Sequence, residues 1–459
     1  MGLLGRHMVV AGGGVGAIEA ALALRALGGD LPGIDLVAPE REFLYRAMTV
    51  AEPFGHGRAL TVPLERLERS HGVRHRQDAL SVVDVEARRA RLRSGEEIAY
   101  DALVVAVGAR PLEWLAGAVT FTGPAAVPAV RQLLERVRRG DASSVLFAAP
   151  PGASWTLPVY ELALLMSTWC ADNGVVAPQL TIATPEIEPL VVFGPAGAHA
   201  VRDVLADRGI RLLTGTTVMA LEGANARLAG DVRLPADAVL ALPRLVGNPV
   251  RGLPADSYGF IPVDEHCAVS STPGVYGVGD ATTHSLKQGG LATQQADAAA
   301  AAIAHAFGVP IDAAPYRPIV RGLLLTGVTS AYLRQGADGT SDAAFHSLWW
   351  PPTKVAGRYL GPFLAELHPI TGAKELSDPA APADRDQAAH HRRELHLLAR
   401  DFAEADAQWG DHRSAFRWLQ TIEWLDGVVP PELAELRDRW RAAAREAVAT
   451  PGGTQVHRR

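Results

Sequence analysis

A short apolar run that ends in glycines and continues as an alanine-rich helix constrains this chain more than any other feature. Residues 8–24 read MVVAGGGVGAIEAALAL, in which Gly12, Gly14 and Ala17 match the spacing G-x-G-x-x-G/A. The first glycine allows a tight turn, the second lets the backbone approach a pyrophosphate, and the small third residue lets the helix pack against its strand. Free N–H groups at the start of such a helix favour an anion. The segment therefore predicts a dinucleotide site, with the candidate ligands Gly12, Gly14, Val15, Gly16 and Ala17.

The length, charge and cysteine content of the chain narrow its class. Its 459 residues are too many for one core, so two or three domains are expected. A net charge of −6 without a dense basic block argues against nucleic acid as a partner. The only cysteines, Cys170 and Cys267, are far apart, which excludes a disulfide framework and a CxxC metal site. We find no signal peptide or membrane-spanning run, so we expect a cytoplasmic protein without a transmembrane segment or a metal site.

Two further apolar runs end in glycine turns later in the chain. Residues 101–111, DALVVAVGARP, close on Gly108, and residues 272–283, TPGVYGVGDATT, contain Gly279 and Asp280. Each run by itself also fits a plain buried strand with a glycine turn. In this order, the three motifs resemble the flavoproteins with two dinucleotide-binding folds. Within them, the chain resembles the branch of sulfide:quinone oxidoreductases and type II NADH dehydrogenases, over roughly residues 8–310.

This resemblance implies an α/β fold with two Rossmann-like domains, FAD as the cofactor and an α-helical C-terminal region. Residues 1–115 and 250–315 would form a discontinuous FAD-binding domain. Residues 116–249 would form an inserted domain of the kind that binds NAD(P). The remaining predicted segments are a flavin-covering part at 316–383, a helical region at 384–449 and a disordered tail at 450–459.

The same resemblance implies positions for the FAD ligands. Asp280 would hydrogen-bond the ribityl chain, and Ala106, Val107 and Gly108 mark where the chain returns beside FAD. Glu40 would reach the adenosine ribose, or it would be a solvated loop acid. The other candidate FAD ligands are Arg46, Gly279, Gly290 and Leu291.

A loop and an alanine-rich helix follow at 287–307. In the resembling families this helix aims its N-terminus at the N1–C2=O edge of the flavin, where its partial positive charge stabilises the reduced form. An ordinary buried helix is the alternative. Lys287 precedes the helix and is the candidate catalytic residue, because a full positive charge there would offset the charge of reduced flavin. The alternative is a lysine that points to solvent.

The inserted segment departs from the family pattern at its turn. Residues 144–166 begin like a second dinucleotide-binding strand, turn and helix, but the turn reads PPGASW from Pro150 to Trp155. Prolines offer no N–H to a pyrophosphate, and Trp155 would occupy the space of the phosphates. We therefore expect that the fold is kept while NAD(P) binding is lost; retained NAD(P)H binding is the alternative.

Aromatic residues and helical stripes mark the C-terminal part. Trp349, Trp350, Tyr359 and Phe363 would line a quinone pocket, dip into a membrane surface or seal the domain core. Apolar residues at three-four spacing between 385 and 448 predict packed helices.

These observations predict an FAD-dependent oxidoreductase that passes electrons from an unidentified small-molecule donor to a quinone-like or other acceptor. Disulfide reductases of this plan carry redox cysteines near residues 43–54, where FLYRAMTVAEPF has none, so thiol–disulfide chemistry is excluded. Neither Cys170 nor Cys267 is placed for sulfide chemistry beside the flavin. Two alternatives stay open: an NAD(P)H-dependent flavin reductase, and a non-catalytic FAD-bearing protein that binds a partner through its helical tail. The sequence also allows a homodimer and peripheral contact with the inner face of a membrane.

Overall fold

The computed structural model describes residues 5–28, 33–349, 352–367 and 439. The described residues divide into two compact units. The first comprises the chain up to Phe345 together with Lys354–Gly361, and the second comprises His346–Thr353 and the residues from Pro362 onward. Apart from Arg439, the predicted helical region 384–449 and the tail 450–459 lie outside the described residues.

The strands are short and are numbered here in chain order. The first twelve are β1 (His7–Ala11), β2 (Gly33–Val37), β3 (Glu42–Leu44), β4 (Thr61–Pro63), β5 (Val73–Arg76), β6 (Leu80–Asp84), β7 (Arg89–Leu92), β8 (Glu97–Ala99), β9 (Ala102–Val105), β10 (Ala109–Leu112), β11 (Val119–Thr120) and β12 (Ser144–Ala148). The others are β13 (Gln179–Ala183), β14 (Arg211–Leu213), β15 (Val218–Glu222), β16 (Asn225–Leu228), β17 (Arg233–Pro235), β18 (Ala238–Ala241), β19 (Arg244–Gly247), β20 (Val275–Gly277), β21 (Val320–Leu324), β22 (Ala331–Gln335) and β23 (Ser341–Ala344).

The helices separate these strands. The α-helices are α1 (Val15–Gly28), α2 (Glu65–His71), α3 (Val127–Arg138), α4 (Leu157–Asp172), α5 (Gly194–Asp207), α6 (Gly289–Ala306) and α7 (Leu360–Leu367). The 3₁₀ segments are Arg46–Phe54, Pro124–Ala126, Val191–Phe193, Ala229–Asp231 and Gly279–Ala281.

A five-stranded parallel sheet, in the order β20-β9-β1-β2-β5, carries the glycine fingerprint. Strand β9 is apolar along its length and β1 is apolar from Met8 onward, as a sheet buried on both faces requires. Val9 lies opposite both Asp35 and Leu103. Strand β20 comes from the third motif and pairs with β9, Val275 opposite Leu103. Because the strands are parallel, their carboxyl ends meet at one edge. The fold thereby brings the three sequence motifs together.

Helices α1 and α6 pack against each other beside this sheet. Both are rich in small residues, which allows a close approach. A Cβ placed on Gly16 would lie 3.5 Å from the Cβ of Ala292, and Ala17 is fully buried. The contact at Gly16 and the burial of Ala17 both fit small residues at this end of α1.

A second parallel sheet, in the order β11-β18-β12-β13-β14, lies in the segment predicted to be the inserted domain. Helix α4 makes the crossover from β12 to β13, which pair in register from Ser144 opposite Gln179. The smaller sheets are antiparallel: β3-β4, β6-β7-β8, β10-β19, β15-β16-β17 and β21-β22-β23. Two parallel sheets with crossover helices confirm the predicted α/β fold class, while the predicted domain bounds stay a prediction.

The predicted aromatic residues differ in their surroundings. In the second unit Trp349 and Phe363 are buried, and Trp349 Nε1 donates to the carbonyl oxygen of Thr353 at 3.0 Å. Tyr359, in the first unit, is half-buried. Burial favours a core role for Trp349 and Phe363, and Trp350 lies outside the described residues. Across the described ranges, no helix is both long and apolar enough to cross a membrane.

Candidate active site

A cavity of about 1200 Å³ lies at the carboxyl ends of the first parallel sheet. Pockets for drug-sized ligands span about 300–1,000 Å³, so this one has room for a dinucleotide. Ala17, Gly290 and Leu291 are buried and lie outside its lining. The predicted site residues in its wall are Gly12, Gly14, Val15, Gly16, Glu40, Arg46, Ala106, Val107, Gly108, Gly279, Asp280 and Lys287.

The glycine turn has the shape that a phosphate-bearing cofactor needs. Gly12 has a φ of +139°, and a Cβ there would lie 2.2 Å from the carbonyl oxygen of Ala106. A Cβ on Gly14 would meet no atom within 4 Å, because this position opens into the cavity just before α1 begins. The space that a side chain would fill is therefore available to a pyrophosphate, whose charge the N-terminus of α1 favours. Glu40 stands beside this turn, its Oε2 2.9 Å from the position of a Cβ on Gly13.

The third motif presents a carboxyl group to the same cavity. Asp280 lines it and forms no side-chain hydrogen bond with the rest of the described chain. Burial raises the pKa of Asp280, while Lys287 and Arg46 lower it. The turn is fixed from α6, where Gln295 Oε1 accepts the N–H of Gly279 at 2.6 Å. A carboxyl group without a protein partner fits the hydroxyl groups of a ribityl chain.

Lys287 is buried, with 6% of its surface exposed, so the alternative of a solvent-directed lysine is wrong. Its Nζ donates to the carbonyl oxygen of Thr282 and lies 3.9 Å from the centre of the Phe260 ring. Burial lowers the pKa of Lys287 to about 8, while Asp280 and Asp256 act in the opposite direction. The ammonium group is therefore mostly charged at neutral pH and lies in the cavity wall.

The start of α6 is capped from within the chain. Gln288 Oε1 accepts the N–H of Leu291 at 2.8 Å, so this N–H group is not free for a ligand. A Cβ on Gly289 would lie 2.9 Å from Val355, which shows how closely residues 354–360 approach the helix end.

An ion pair in the cavity wall was not predicted from the sequence. Lys354 Nζ donates to Glu161 Oε1 and Oε2 at 2.6 and 2.7 Å, and the side chains are 8% and 0% exposed. Glu161 Oε1 also accepts the N–H of Leu325 at 2.9 Å. Burial raises the pKa of Glu161, while Lys354 lowers it. The one sequence signal was an acid inside the apolar helix α4; its partner could not be read from the sequence.

His284 is a second residue that sequence reasoning missed. It lines the cavity and packs edge-to-face on Tyr316 at 5.0 Å, and its buried Nε2 has no hydrogen-bond partner within the described ranges. Burial and the neighbouring Lys287 lower the pKa of His284, so its imidazole is neutral at neutral pH.

The turn of the second sheet is closed by its own side chains. The carboxyl group of Glu186, just beyond β13, accepts hydrogen bonds from Thr156 Oγ1 at 2.8 Å, Tyr160 Oη at 2.6 Å and Thr184 Oγ1 at 2.9 Å. Trp155 packs edge-to-face on Phe193 at 5.7 Å. In a nucleotide-binding domain, an acid near this strand end holds the adenosine ribose.

Neither cysteine is part of the cavity wall formed by the described residues. Burial raises the pKa of Cys170 to about 11, and burial together with Asp264 raises that of Cys267 to about 12. Both therefore remain thiols at neutral pH. Over the same ranges, no group of three or more histidine, cysteine, aspartate or glutamate residues is arranged to hold a metal ion.

The sequence matches the family described as pyridine nucleotide-disulphide oxidoreductase over residues 6–135 and 168–306. The chain belongs to this family. As a member of the pyridine nucleotide-disulphide oxidoreductase family, the protein is an FAD-dependent oxidoreductase, which confirms the predicted enzyme class and cofactor. The glycine turn and the carboxyl group of Asp280 fit that cofactor. The individual ligands stay predictions.

Two curated relatives and one solved structure describe the place of the chain within this family. It is 29% identical over 231 residues to a sulfide-quinone reductase of Aquifex aeolicus, which covers 48% of this chain and 53% of that protein. It is 25% identical over 292 residues to a probable ferredoxin reductase of Castellaniella defragrans, covering 60% of this chain and 68% of that protein. The solved sulfide:quinone oxidoreductase of Aquifex aeolicus matches with a TM-score of 0.67 at 21% identity, over 74% of this chain and 87% of that one. The chain thus spans about half the length of the first relative, and the solved structure shows the fold alone.

Proposed function

We propose that this enzyme passes electrons from a small-molecule donor through FAD to a quinone-like acceptor, and that NADH and NADPH are poor donors. The observation that carries the proposal is the buried pair of Glu161 and Lys354 in the wall of the cavity. FAD, when bound, supplies a carrier of electrons between the donor and the acceptor.

The ion pair suits an acceptor that takes up protons with its electrons. A quinone becomes a quinol by gaining two electrons and two protons, so its site needs a proton donor. Lys354 Nζ is within hydrogen-bond reach of both oxygens of Glu161 and belongs to the cavity lining. It can give one of the two protons to a carbonyl oxygen of the acceptor, while Glu161 holds the ammonium group in place, and water would supply the second proton.

The remainder of that wall suits an apolar ring. Several of its residues are aliphatic or aromatic, and an uncharged planar molecule would bury its faces against them. These residues are Val50, Phe121, Trp155, Leu157, Leu242 and Leu323. Many quinones carry apolar chains, so such an acceptor also supports the predicted peripheral contact with a membrane. The predicted homodimer stays a prediction.

The sulfide-quinone reductase of Aquifex aeolicus, as a relative, supports a quinone as the acceptor. It gives less support for sulfide as the donor, because no cysteine lies in the described cavity wall of this chain. The donor would therefore transfer its electrons without a protein thiol.

The state of Glu186 argues against NADH and NADPH as donors. Its carboxyl group already accepts three hydrogen bonds from hydroxyl groups of the protein. A ribose would have to displace them. Pro150 and Pro151 withhold N–H groups from a pyrophosphate at the adjoining turn.

Anaerobic kinetics on the purified FAD-bound protein test this function. The bound FAD is first reduced with dithionite and then mixed with a short-chain benzoquinone, with ferricyanide or with a ferredoxin. We expect fast reoxidation by the quinone. Slow reoxidation by the quinone and fast reoxidation by the ferredoxin would contradict the proposal and favour a protein acceptor, as the probable ferredoxin reductase of Castellaniella defragrans suggests.

A further inference from the structure

The carboxyl group of Glu19, which is buried, and that of Asp297, which is half-buried, meet between α1 and α6. Glu19, at 0% exposure, hydrogen-bonds through its side chain to Asp297. Asp297 Oδ1 is buried and has no hydrogen-bond partner among the described residues. Two carboxylates in this position would repel each other, so the contact requires that the pair hold a proton.

The backbone indicates which of the two groups carries that proton. Glu19 Oε1 accepts the N–H of Tyr359 at 2.8 Å, and its Oε2 accepts the N–H of Leu360 at 2.6 Å. Both oxygens of Glu19 are thus acceptors, which favours the carboxylate form. The shared proton therefore belongs to Asp297, which donates it to Glu19.

Among the described residues, few charged groups lie around the pair. Burial raises the pKa of Glu19 to about 7 and that of Asp297 well above its ordinary value, while the guanidinium of Arg358 lowers the latter. On α1 the other charged residue is Arg25, which donates to the carbonyl oxygen of Gly72. On the adjoining strands, His7 and Asp35 pair with each other, and on α6 His305 contacts the carbonyl oxygen of Ile311.

Glu19 holds one end of residues 354–360, which we call the strap. At its other end, Lys354 pairs with Glu161 in the cavity wall. Between them, the N–H of Val355 donates to Tyr45 Oη at 2.8 Å. A Cβ on Gly357 would lie 2.6 Å from Glu19 Oε2, so the strap lies directly against the carboxylate.

We propose that Glu19 and Asp297 form a proton-dependent anchor for the strap, which positions Lys354 in the cavity wall, and that loss of the shared proton loosens the strap. Glu19 is a positioning residue: it acts through the backbone of Tyr359 and Leu360. Only the part that Lys354 plays toward an acceptor rests on the proposed function. With the proton lost, Asp297 becomes a second negative charge beside Glu19. Repulsion between the two carboxylates then displaces the Glu19 side chain from Asp297, at the expense of its two N–H bonds to the strap.

Hydrogen exchange of the amides of Tyr359 and Leu360 in the FAD-bound protein measures the anchor directly. It is followed from about pH 6 to about pH 9 and corrected for the intrinsic pH dependence of amide exchange. In the wild-type protein we expect the protection of both amides to fall by about tenfold or more across this range. This is the change expected when a hydrogen bond to a charged group is lost.

Asp297→Asn separates the anchor from other titrations. Its side-chain amide donates to Glu19 at every pH, so protection should stay flat across the range, while Lys287 and Glu161 are unchanged. In Glu19→Gln, one N–H acceptor is replaced by a donor, so at least one of the two amides should exchange fast at every pH. Asp203→Asn, at an exposed position on α5, is the matched control and should follow the wild-type protein.

Wild-type protection that does not change with pH would overturn the proposal. So would an unchanged fall in Asp297→Asn, because the titrating group would then lie elsewhere. If Glu19→Gln does not fold, Asp297→Asn alone decides. The measurement uses no electron acceptor, so it stands or falls separately from quinone reduction.

Discussion

Glu161 and Lys354 are 193 positions apart in the sequence, yet both carboxylate oxygens lie within 2.7 Å of the lysine Nζ. A buried ion pair of this kind adds little stability, because desolvation of the charges offsets their attraction. Both residues also belong to the cavity lining. We therefore interpret the pair as part of the acceptor site.

Removing the ammonium group should separate acceptors that need protons from those that do not. In Lys354→Met we expect reoxidation by a short-chain quinone to slow by about a hundredfold, because a positioned proton donor usually accelerates such a step by about that factor or more. Reoxidation by ferricyanide, which takes no proton, should keep its rate. Stopped-flow absorbance of the bound FAD measures both.

Lys354→Arg is the matched control for this prediction, because arginine keeps the charge but does not release a proton. Quinone reoxidation should stay slow in that variant. The double variant Glu161→Gln with Lys354→Met avoids an unpaired buried charge and should resemble Lys354→Met. An equal loss with both acceptors would show that the pair only supports the structure.

Enlarging Gly14 should expel FAD without unfolding the chain. Its Cβ position is empty and its backbone needs no positive φ, so the fold tolerates a side chain that projects into the cavity. FAD occupancy, read from the ratio of flavin to protein absorbance, should fall from Gly14→Ala through Gly14→Val to Gly14→Leu. Thermal melting of the apoproteins should stay similar. Full occupancy in Gly14→Leu would show that the site is elsewhere.

Lys287 should raise the midpoint potential of bound FAD. A cation beside the flavin favours the reduced form, so Lys287→Met should lower the potential by about 20–45 mV, on the conversion of about 30 mV to 1.4 kcal/mol for two electrons. Because burial lowers the pKa of Lys287 to about 8, the wild-type protein loses this charge above that pH. The difference between the two proteins should therefore shrink as the pH rises past 8. Potentiometry that finds equal midpoint potentials at neutral pH would rule out this role.

NADH and NADPH should reduce the bound FAD slowly. The hydroxyl groups of Thr156, Tyr160 and Thr184 already occupy the carboxyl group of Glu186. We expect micromolar NADH to reduce FAD well below about 10 per second, a typical enzymatic rate. Dithionite serves as the control that the flavin is reducible. Reduction by NADH at the typical rate would favour the flavin reductase alternative.

Asp35 should stabilise the fold in a pH-dependent way. Burial alone would raise its pKa, but hydrogen bonds from His7, Arg74 and Arg76 outweigh burial and hold the pKa well below its ordinary value. A carboxylate of this kind stabilises the fold above the ordinary pKa and loses that effect as the pH falls through the lowered one. At pH 7, Asp35→Asn should reduce the free energy of unfolding by about 1–3 kcal/mol.

Denaturant unfolding at several pH values checks this prediction. The difference between Asp35→Asn and the wild-type protein should shrink progressively below about pH 4, where the unfolded carboxyl group takes up its proton. Asp207→Asn, at an exposed position on α5, should show no such difference. A loss that is the same at every pH would mean that packing, and not charge, is responsible.

Local sequence patterns were enough to predict the fold class, the family and the cofactor. The fingerprint lies within ten residues, so its geometry can be predicted from local sequence. Gly12 turns the chain, Gly14 leaves room for a phosphate, and Ala17 lets the helix pack closely. The family resemblance implied a discontinuous FAD-binding domain, and in the structure β20 joins the sheet beside β9. The departure from the family pattern at Pro150 and Pro151 was also visible in the sequence, because proline has no backbone N–H in any structural context.

Which charged groups meet could be seen only in the folded chain. Glu161 was visible as an acid in an apolar helix, but its partner Lys354 comes from a segment beyond the parallel sheets. Glu19 and Asp297 lie on two helices far apart in the chain, and their contact depends on how closely α1 and α6 pack. The burial of Lys287 depended likewise on Phe260 and Thr282. Desolvation and long-range pairing set the charge state of such groups, and both follow from which surfaces the folded chain brings together.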